Sequence, residues 1–170
     1  EKLWREGKLP HEITIITNVN EPSCFGYSNG EITGSAIGGN GGMFTFFPNW
    51  NDLDSIGAGT YTIVATDVNG CTSTPLDVVV DEPNELTLTL TNVIDVSCFD
   101  DNNGSITPQV NGGTTPYNFS WVGPNEYSNN LGDINFLYAG TYYLNIVDNN
   151  GCTVNSNSAI TQPSELISSF

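Results

Sequence analysis

Three carboxylate pairs, Asp52/Asp54, Asp81/Glu82 and Asp100/Asp101, have the most evident capacity for chemistry in this chain. Glycoside hydrolysis needs two carboxyl groups held across a cleft. These pairs fall in turns or linkers, and where one phrase carries Asp81/Glu82 its later equivalent reads Thr161-Gln162. A hydrolytic triad needs a base beside its nucleophile, and the one histidine, His11, stands in a linker phrase. The expectation is a protein that is not an enzyme, with no catalytic residues.

Oxygen-rich turns raise the question of calcium. Asp67 and Asn69, Asp148 and Asn150, and Asp100 with Asp101 could each contribute to a hard cation that takes six to eight oxygens. The pattern Asp-Xaa-Asn-Gly is also what a tight turn prefers, through side-chain bonds to backbone and a residue of positive φ. The turn is the expected reading, with no cofactor and a melting point indifferent to EDTA. Trp50 and Tyr127 lie in the most variable loops and are the candidates for stacking on a sugar. Trp121 extends an alternation with Tyr117 and Phe119 and is expected in the core.

The charge is lopsided: 19 acidic residues against 3 basic, a formal net charge of −16 over 170 residues. Lys2, Arg5, Lys8 and His11 all precede Glu12, and no Lys or Arg follows. From Glu12 onward the chain has nothing with which to hold nucleic acid or an anionic membrane, and neither is expected as a partner. No apolar run approaches the ~20 residues of a membrane helix, and no signal peptide is visible at Glu1. The low charged fraction, with abundant Gly, Asn, Thr and Ser, suits a β-rich protein.

The chain repeats itself. AGTYTIVATDVNGC, residues 58–71, returns as AGTYYLNIVDNNGC, residues 139–152. Cys24 matches Cys98, Gly30 matches Gly104 and Gly38-Gly39 match Gly112-Gly113, all 74 apart; Cys71 matches Cys152, 81 apart. The single change of offset lies in a longer central loop, residues 123–133. Three linker phrases, beginning at Pro10, Pro83 and Pro163, punctuate the copies. The division expected is a first repeat over 10–83, a second over 84–163 and the start of a third over 164–170, with 1–9 unassigned. The segment therefore reads as part of a longer array.

Within each copy, period-two alternation marks short strands. Tyr61, Ile63 and Ala65 share a face, as do Tyr142, Leu144 and Ile146, and each run ends in Asn-Gly, a strong hairpin signal. Gly34 and Pro108 occupy one equivalent position and suggest an edge or bulge. Leading strands are expected near 13–19 and 86–94, closing strands near 76–81 and 157–161. Six or seven strands per ~75 residues give an all-β fold of two tandem immunoglobulin-like β-sandwich repeats. A tyrosine just after Ala-Gly-Thr, at Tyr61 and Tyr142, fits either a tyrosine corner or a plain core tyrosine.

The order Val-Ser-Cys, Gly-Ser-Ile, Gly-Gly, Pro-Tyr-Xaa-Phe-Ser-Trp, Ala-Gly-Thr-Tyr, Asp-Xaa-Asn-Gly-Cys-Thr and Gln-Pro, clearest in residues 96–163, resembles the SprB repeat of Bacteroidota gliding-motility adhesins. The resemblance covers both copies. The first departs from it: Glu-Pro-Ser-Cys replaces Val-Ser-Cys, and Phe47 or Trp50 must stand in for Ser-Trp. The resemblance implies a large, secreted, extracellular cell-surface adhesin exported by type IX secretion. Its repeats would form a stalk or filament, partnered by neighbouring repeats and by a surface or glycan target. The alternatives are a carbohydrate-binding accessory module of a secreted enzyme and a filament subunit assembled by strand addition.

For an exported chain, Cys24, Cys71, Cys98 and Cys152 form a disulfide pattern with three possible pairings. The simplest joins Cys24 to Cys71 and Cys98 to Cys152, each closing a loop of ~50 residues for roughly 3–4 kcal/mol. The number of strand reversals decides whether those partners meet. An even number brings them to one end; the seven-strand immunoglobulin order separates them, and Cys24–Cys152 could then staple neighbours. Free thiols are the third case. Metal ligation is disfavoured, since there is no Cys-Xaa-Xaa-Cys and no nearby histidine.

Overall fold

A computed structural model describes residues 11–40 and 42–168. The unassigned segment 1–9, with Lys2, Arg5 and Lys8, lies outside the described residues. The chain divides into two compact units, 1–82 and 83–170. It is all-β, with no α-helix among the described residues.

Among its described residues the first unit has six strands: β1 His11–Asn20, β2 Gly30–Gly39, β3 Thr45–Phe47, β4 Asp54–Ile56, β5 Gly59–Thr66 and β6 Leu76–Val80. They form two antiparallel three-stranded sheets, β1-β2-β4 and β3-β5-β6. Alternation sends Ile63 and Ala65 of β5 and Val78 and Val80 of β6 inward, onto Ile32 of β2, Leu53 and Ile56. His11, expected in a linker, is instead the first residue of β1, paired with Gly39. Gly34 lets β1 approach closely: a Cβ there would sit 2.2 Å from the Ile16 carbonyl oxygen.

The second unit has seven among its described residues: β7 Thr87–Ile94, β8 Gly104–Asn111, β9 Asn118–Val122, β10 Ser128–Asn129, β11 Ile134–Leu137, β12 Gly140–Val147 and β13 Thr153–Ile160. Their sheets are β11-β8-β7 and β10-β9-β12-β13. Between them lie Trp121, Tyr142, Leu144 and Ile146 from one sheet and Ile106, Ile134 and Leu137 from the other, all nearly inaccessible. The expected irregularity at Pro108 is present. Leu90 pairs with Pro108 and Asn92 with Thr107, so Thr91 is the extra residue of a bulge. Proline has no N–H for a ladder, and the bulge absorbs that loss.

A paired Gly-Gly ends β2 and follows β8. Gly38 and Gly112 have φ of 93° and 71°, and a Cβ on either would lie 1.9 Å from a backbone carbonyl oxygen, of Glu12 in β1 or of Glu85 just before β7. Only glycine fits there. The bend carries the chain across to the β5–β6 or β12–β13 hairpin.

Candidate functional sites

That bend meets a buried carboxylate. In the first unit Asp67 Oδ1 accepts from the backbone N–H groups of Asn69 and Cys71, both at 2.9 Å. Its Oδ2 accepts from the backbone and side-chain nitrogens of Asn40, both at 3.1 Å. In the second, Asp148 Oδ1 accepts from Asn150 at 2.8 Å and Cys152 at 2.9 Å, and Oδ2 from Thr114 N–H at 2.8 Å. The two arrangements superpose by chemistry as well as by sequence position. Each aspartate ties its own hairpin to the segment after the Gly-Gly bend.

These bonds set the acidity. The Asn40 N–H, then that of Cys71, holds the Asp67 carboxyl below its ordinary range against the opposing effect of burial. At Asp148 burial pushes upward, but the N–H groups of Thr114, Cys152, Asn150 and Gly151 together outweigh it and the carboxyl is again lowered. Both aspartates are therefore charged and fully engaged as acceptors. The Asn-Gly hairpin signal is realised in a modified form. Gly70 N–H bonds the Asp67 carbonyl at 3.0 Å, and only the glycine has positive φ. The aspartate side chain bridges a longer turn than a two-residue loop.

A second tie sits at the other end of each unit, around the first cysteine. Ser23 N–H donates to Asn29 Oδ1 at 3.0 Å, and Ser97 N–H to Asn103 Oδ1 at 2.9 Å. The linker closes the loop: Glu82 Oε2 accepts from Gly26 N–H at 2.6 Å, and Gln162 Oε1 from Asp100 N–H at 3.1 Å. A carboxylate and a carboxamide serve equally because the loop needs one side-chain oxygen. This explains why Asp81/Glu82 is replaced by Thr161-Gln162. In the second unit Asp95 Oδ1 also accepts from Thr161 N–H at 2.6 Å, which holds the Asp95 carboxyl low. Sequence reading missed the tying roles of Asn29, Asn103, Asn40, Thr114 and Asp95. The first four stand in pairs 74 apart, and that spacing was the available signal.

Both tyrosines form corners. Tyr61 hydroxyl donates to the Gly57 carbonyl at 2.9 Å and Tyr142 to the Tyr138 carbonyl at 3.1 Å, four residues back in each case. Burial, with the Tyr127 phenol beside it, raises the Tyr142 phenol. Trp121 is fully buried, and its indole N–H donates to the Leu131 and Gly132 carbonyls at 3.1 and 3.3 Å.

The sugar-stacking candidates are both engaged in packing. Trp50 is half-buried with its ring centroid 4.4 Å from that of Phe46, and Tyr127 packs edge-on against Tyr142 at 5.2 Å. Phe47, the other stand-in for Trp121, is 78% exposed, so Trp50 takes the packing role. Asp52 and Asp54 are exposed in the Trp50–Leu53 3-10 turn and at the start of β4. Asp101 accepts from Asn102 N–H and Asn103 Nδ2. Among the described residues, no three His, Cys, Asp or Glu side chains converge as a metal site.

The cysteines divide by exposure. Cys24 and Cys152 are buried half-cystines. Cys71 and Cys98 are exposed and free. This overturns the simplest pairing, which required Cys24–Cys71 and Cys98–Cys152. The reason is geometric. The Cys98 loop is tied to Gln162, just past the end of β13, where Ile160 pairs with Gly140. Cys152 bonds Asp148, past the far end of β12. The eight residues of Gly140–Val147 separate the two ends by ~25 Å at ~3.3 Å per residue. A disulfide needs Cα atoms within about 7 Å. The first unit repeats the separation. The Cys24 loop is tied to Glu82, near Val80, which pairs with Gly59, and Cys71 bonds Asp67 beyond Thr66.

Comparison with known families bears on this architecture through its second unit. Residues 90–125 match the SprB repeat. The match runs from Leu90 in β7, through the Cys98 loop, β8 and the Gly-Gly bend, to Asn125 beyond β9. SprB repeats occur in cell-surface proteins and are structural repeats. No curated protein matches the chain. The first unit has the same order of cysteine loop, Gly-Gly bend, tyrosine corner and aspartate-tied hairpin. Among the described residues, no helix is long and apolar enough to cross a membrane.

Proposed function

We propose that this segment is a non-catalytic structural and adhesive element of a large secreted adhesin of the gliding-motility type. In this reading its repeats form an extended extracellular stalk or filament. The observation that carries it is that the conspicuous polar groups are spent inside each repeat. Asp67, Asp148, Glu82 and Gln162 all accept backbone N–H groups from their own unit. Such ties stiffen loops at both ends of a small sandwich and leave variation to the central loops. The SprB match supports the surface role. An excess of carboxylates on the surface discourages edge-to-edge association of exposed strands.

The first test is the reduced, denatured mass of the native polypeptide that contains this segment. Several hundred kilodaltons is the expected result, from a long array. A mass near that of one enzyme plus two small modules would sink the reading in favour of an accessory module.

A further inference from the structure

The geometry points to disulfides that join different copies of this repeat, loop cysteine to hairpin cysteine, with Cys98 and Cys71 as the linkage points for further copies. Each copy carries one cysteine at each end of its sandwich, too far apart to meet. The loop end holds Cys24 or Cys98, and the hairpin end holds Cys71 or Cys152. A loop cysteine can therefore find a hairpin cysteine only on another copy.

Repeat position adds an independent observation. Cys98 is the counterpart of Cys24, and Cys71 is the counterpart of Cys152, 74 and 81 residues apart. In one copy the loop position is a buried half-cystine, and in the other the hairpin position is. The remaining position of each type is an exposed thiol. The same local bonds hold all four. Cys24 and Cys98 carbonyls accept the turn N–H of Tyr27 and Asp101, and Cys71 and Cys152 N–H groups donate to Asp67 and Asp148. Cys71 and Cys98 thus share the backbone hydrogen bonds of their oxidised counterparts. Apolar neighbours stand exposed beside them, Phe99 at the loop end and Val68 at the hairpin end. Covering these on docking is favourable.

The chemistry is thiol–disulfide exchange. A thiolate from one copy attacks oxidised glutathione, or the disulfide of an oxidoreductase, and releases one reduced thiol. The second copy's thiolate then displaces the other half. Two protein thiols become one disulfide, and one small disulfide becomes two thiols. The inference is independent of adhesion and holds for any array of these repeats.

The test uses the purified 170-residue chain, concentrated in a mixture of oxidised and reduced glutathione and run without reductant. The expected result is a ladder of covalent multiples, with Cys98 of one chain mapped to Cys71 of the next by mass spectrometry. C71S alone and C98S alone should stay single, and an equimolar mixture of the two should stop at a dimer. Symmetric Cys98–Cys98 dimers of C71S would overturn the proposal. So would a Cys24–Cys71 or Cys98–Cys152 peptide, or a wild-type chain that stays single. Thiol labelling gives a second reading: Cys71 and Cys98 should alkylate without reduction, and Cys24 and Cys152 only after it.

Discussion

The two repeats solve one packing problem in different ways. In the second, β9 runs to Val122, with Trp121 opposite Leu144 and fully buried. In the first, the register that pairs Phe47 with Val64 would set Pro48 opposite Ile63, the counterpart of Leu144. Proline cannot continue a ladder from the interior, and β3 ends at Phe47. The chain then turns through Trp50–Leu53, burying Leu53 and half-burying Trp50 against Phe46. A large indole in a strand is thus exchanged for a short 3-10 turn with a leucine. The shared ties at both ends of the sandwich are unchanged. The middle of the repeat tolerates variation because the ends are closed by bonds to backbone rather than by packing.

The sharpest break of this comparison is Trp121→Ala. Removing a buried tryptophan costs about 3–5 kcal/mol, and two carbonyls lose their donor. Trp50→Ala, at a half-buried position, should cost less than half as much. Hydrogen exchange read peptide by peptide follows both repeats in one chain. Equal losses of protection would mean that Trp50 does replace Trp121 energetically.

Next in size is Gly112→Ala, which forces a Cβ onto the Glu85 carbonyl oxygen at positive φ. The expected loss is about 2–3 kcal/mol. Gly151→Ala has φ of 86° but nothing within 4 Å, and about 1 kcal/mol is expected from backbone strain alone. Urea unfolding of the two variants measures the difference, and a reversed order would refute the close approach as the cause.

Acidification should separate the repeats. Asp67, Asp95 and Asp148 have folded-state acidities below their ordinary range. A lowered carboxyl adds stability that is present above the unfolded-state value near 4 and is lost as pH falls through the folded value. The second repeat holds two such groups, Asp95 and Asp148, and the first holds Asp67. Between pH 5 and pH 2 the second repeat should lose protection more steeply, and Asp95→Asn should narrow the gap.

Smaller still are the tyrosine corners. Tyr142→Phe and Tyr61→Phe each remove one hydrogen bond and should cost about 1 kcal/mol. The effect should be larger at the buried Tyr142, as read by thermal unfolding. The smallest effect is expected from EDTA. With Asp67 and Asp148 already saturated by N–H donors, the melting temperature should not move in either repeat. A drop confined to one would locate a cation there.

Much of the frame was legible because it recurs. Strand positions, the Gly-Gly bend and the buried Trp121 followed from alternation and spacing. The tyrosine corners were visible as one of two readings, and the Asp-Xaa-Asn-Gly runs as turn formers. Their partners were not legible. Asn40 and Thr114 share no side-chain chemistry, since what Asp67 and Asp148 need from both is a backbone N–H. Glu82 and Gln162 looked like a broken carboxylate pair because a shared acceptor role is invisible in residue names.

By itself the sequence determined that this chain is β-rich, acidic, internally repeated and built on turns at fixed spacing. Those properties follow from local periodicity and composition, which act within a few residues. Only the tertiary structure decided which groups meet. A strand of eight residues places Cys98 and Cys152 at opposite ends of one sandwich, as β5 does for Cys24 and Cys71. Strand direction and sheet order are properties of the assembled fold, and they, not spacing along the chain, set which cysteines can bond.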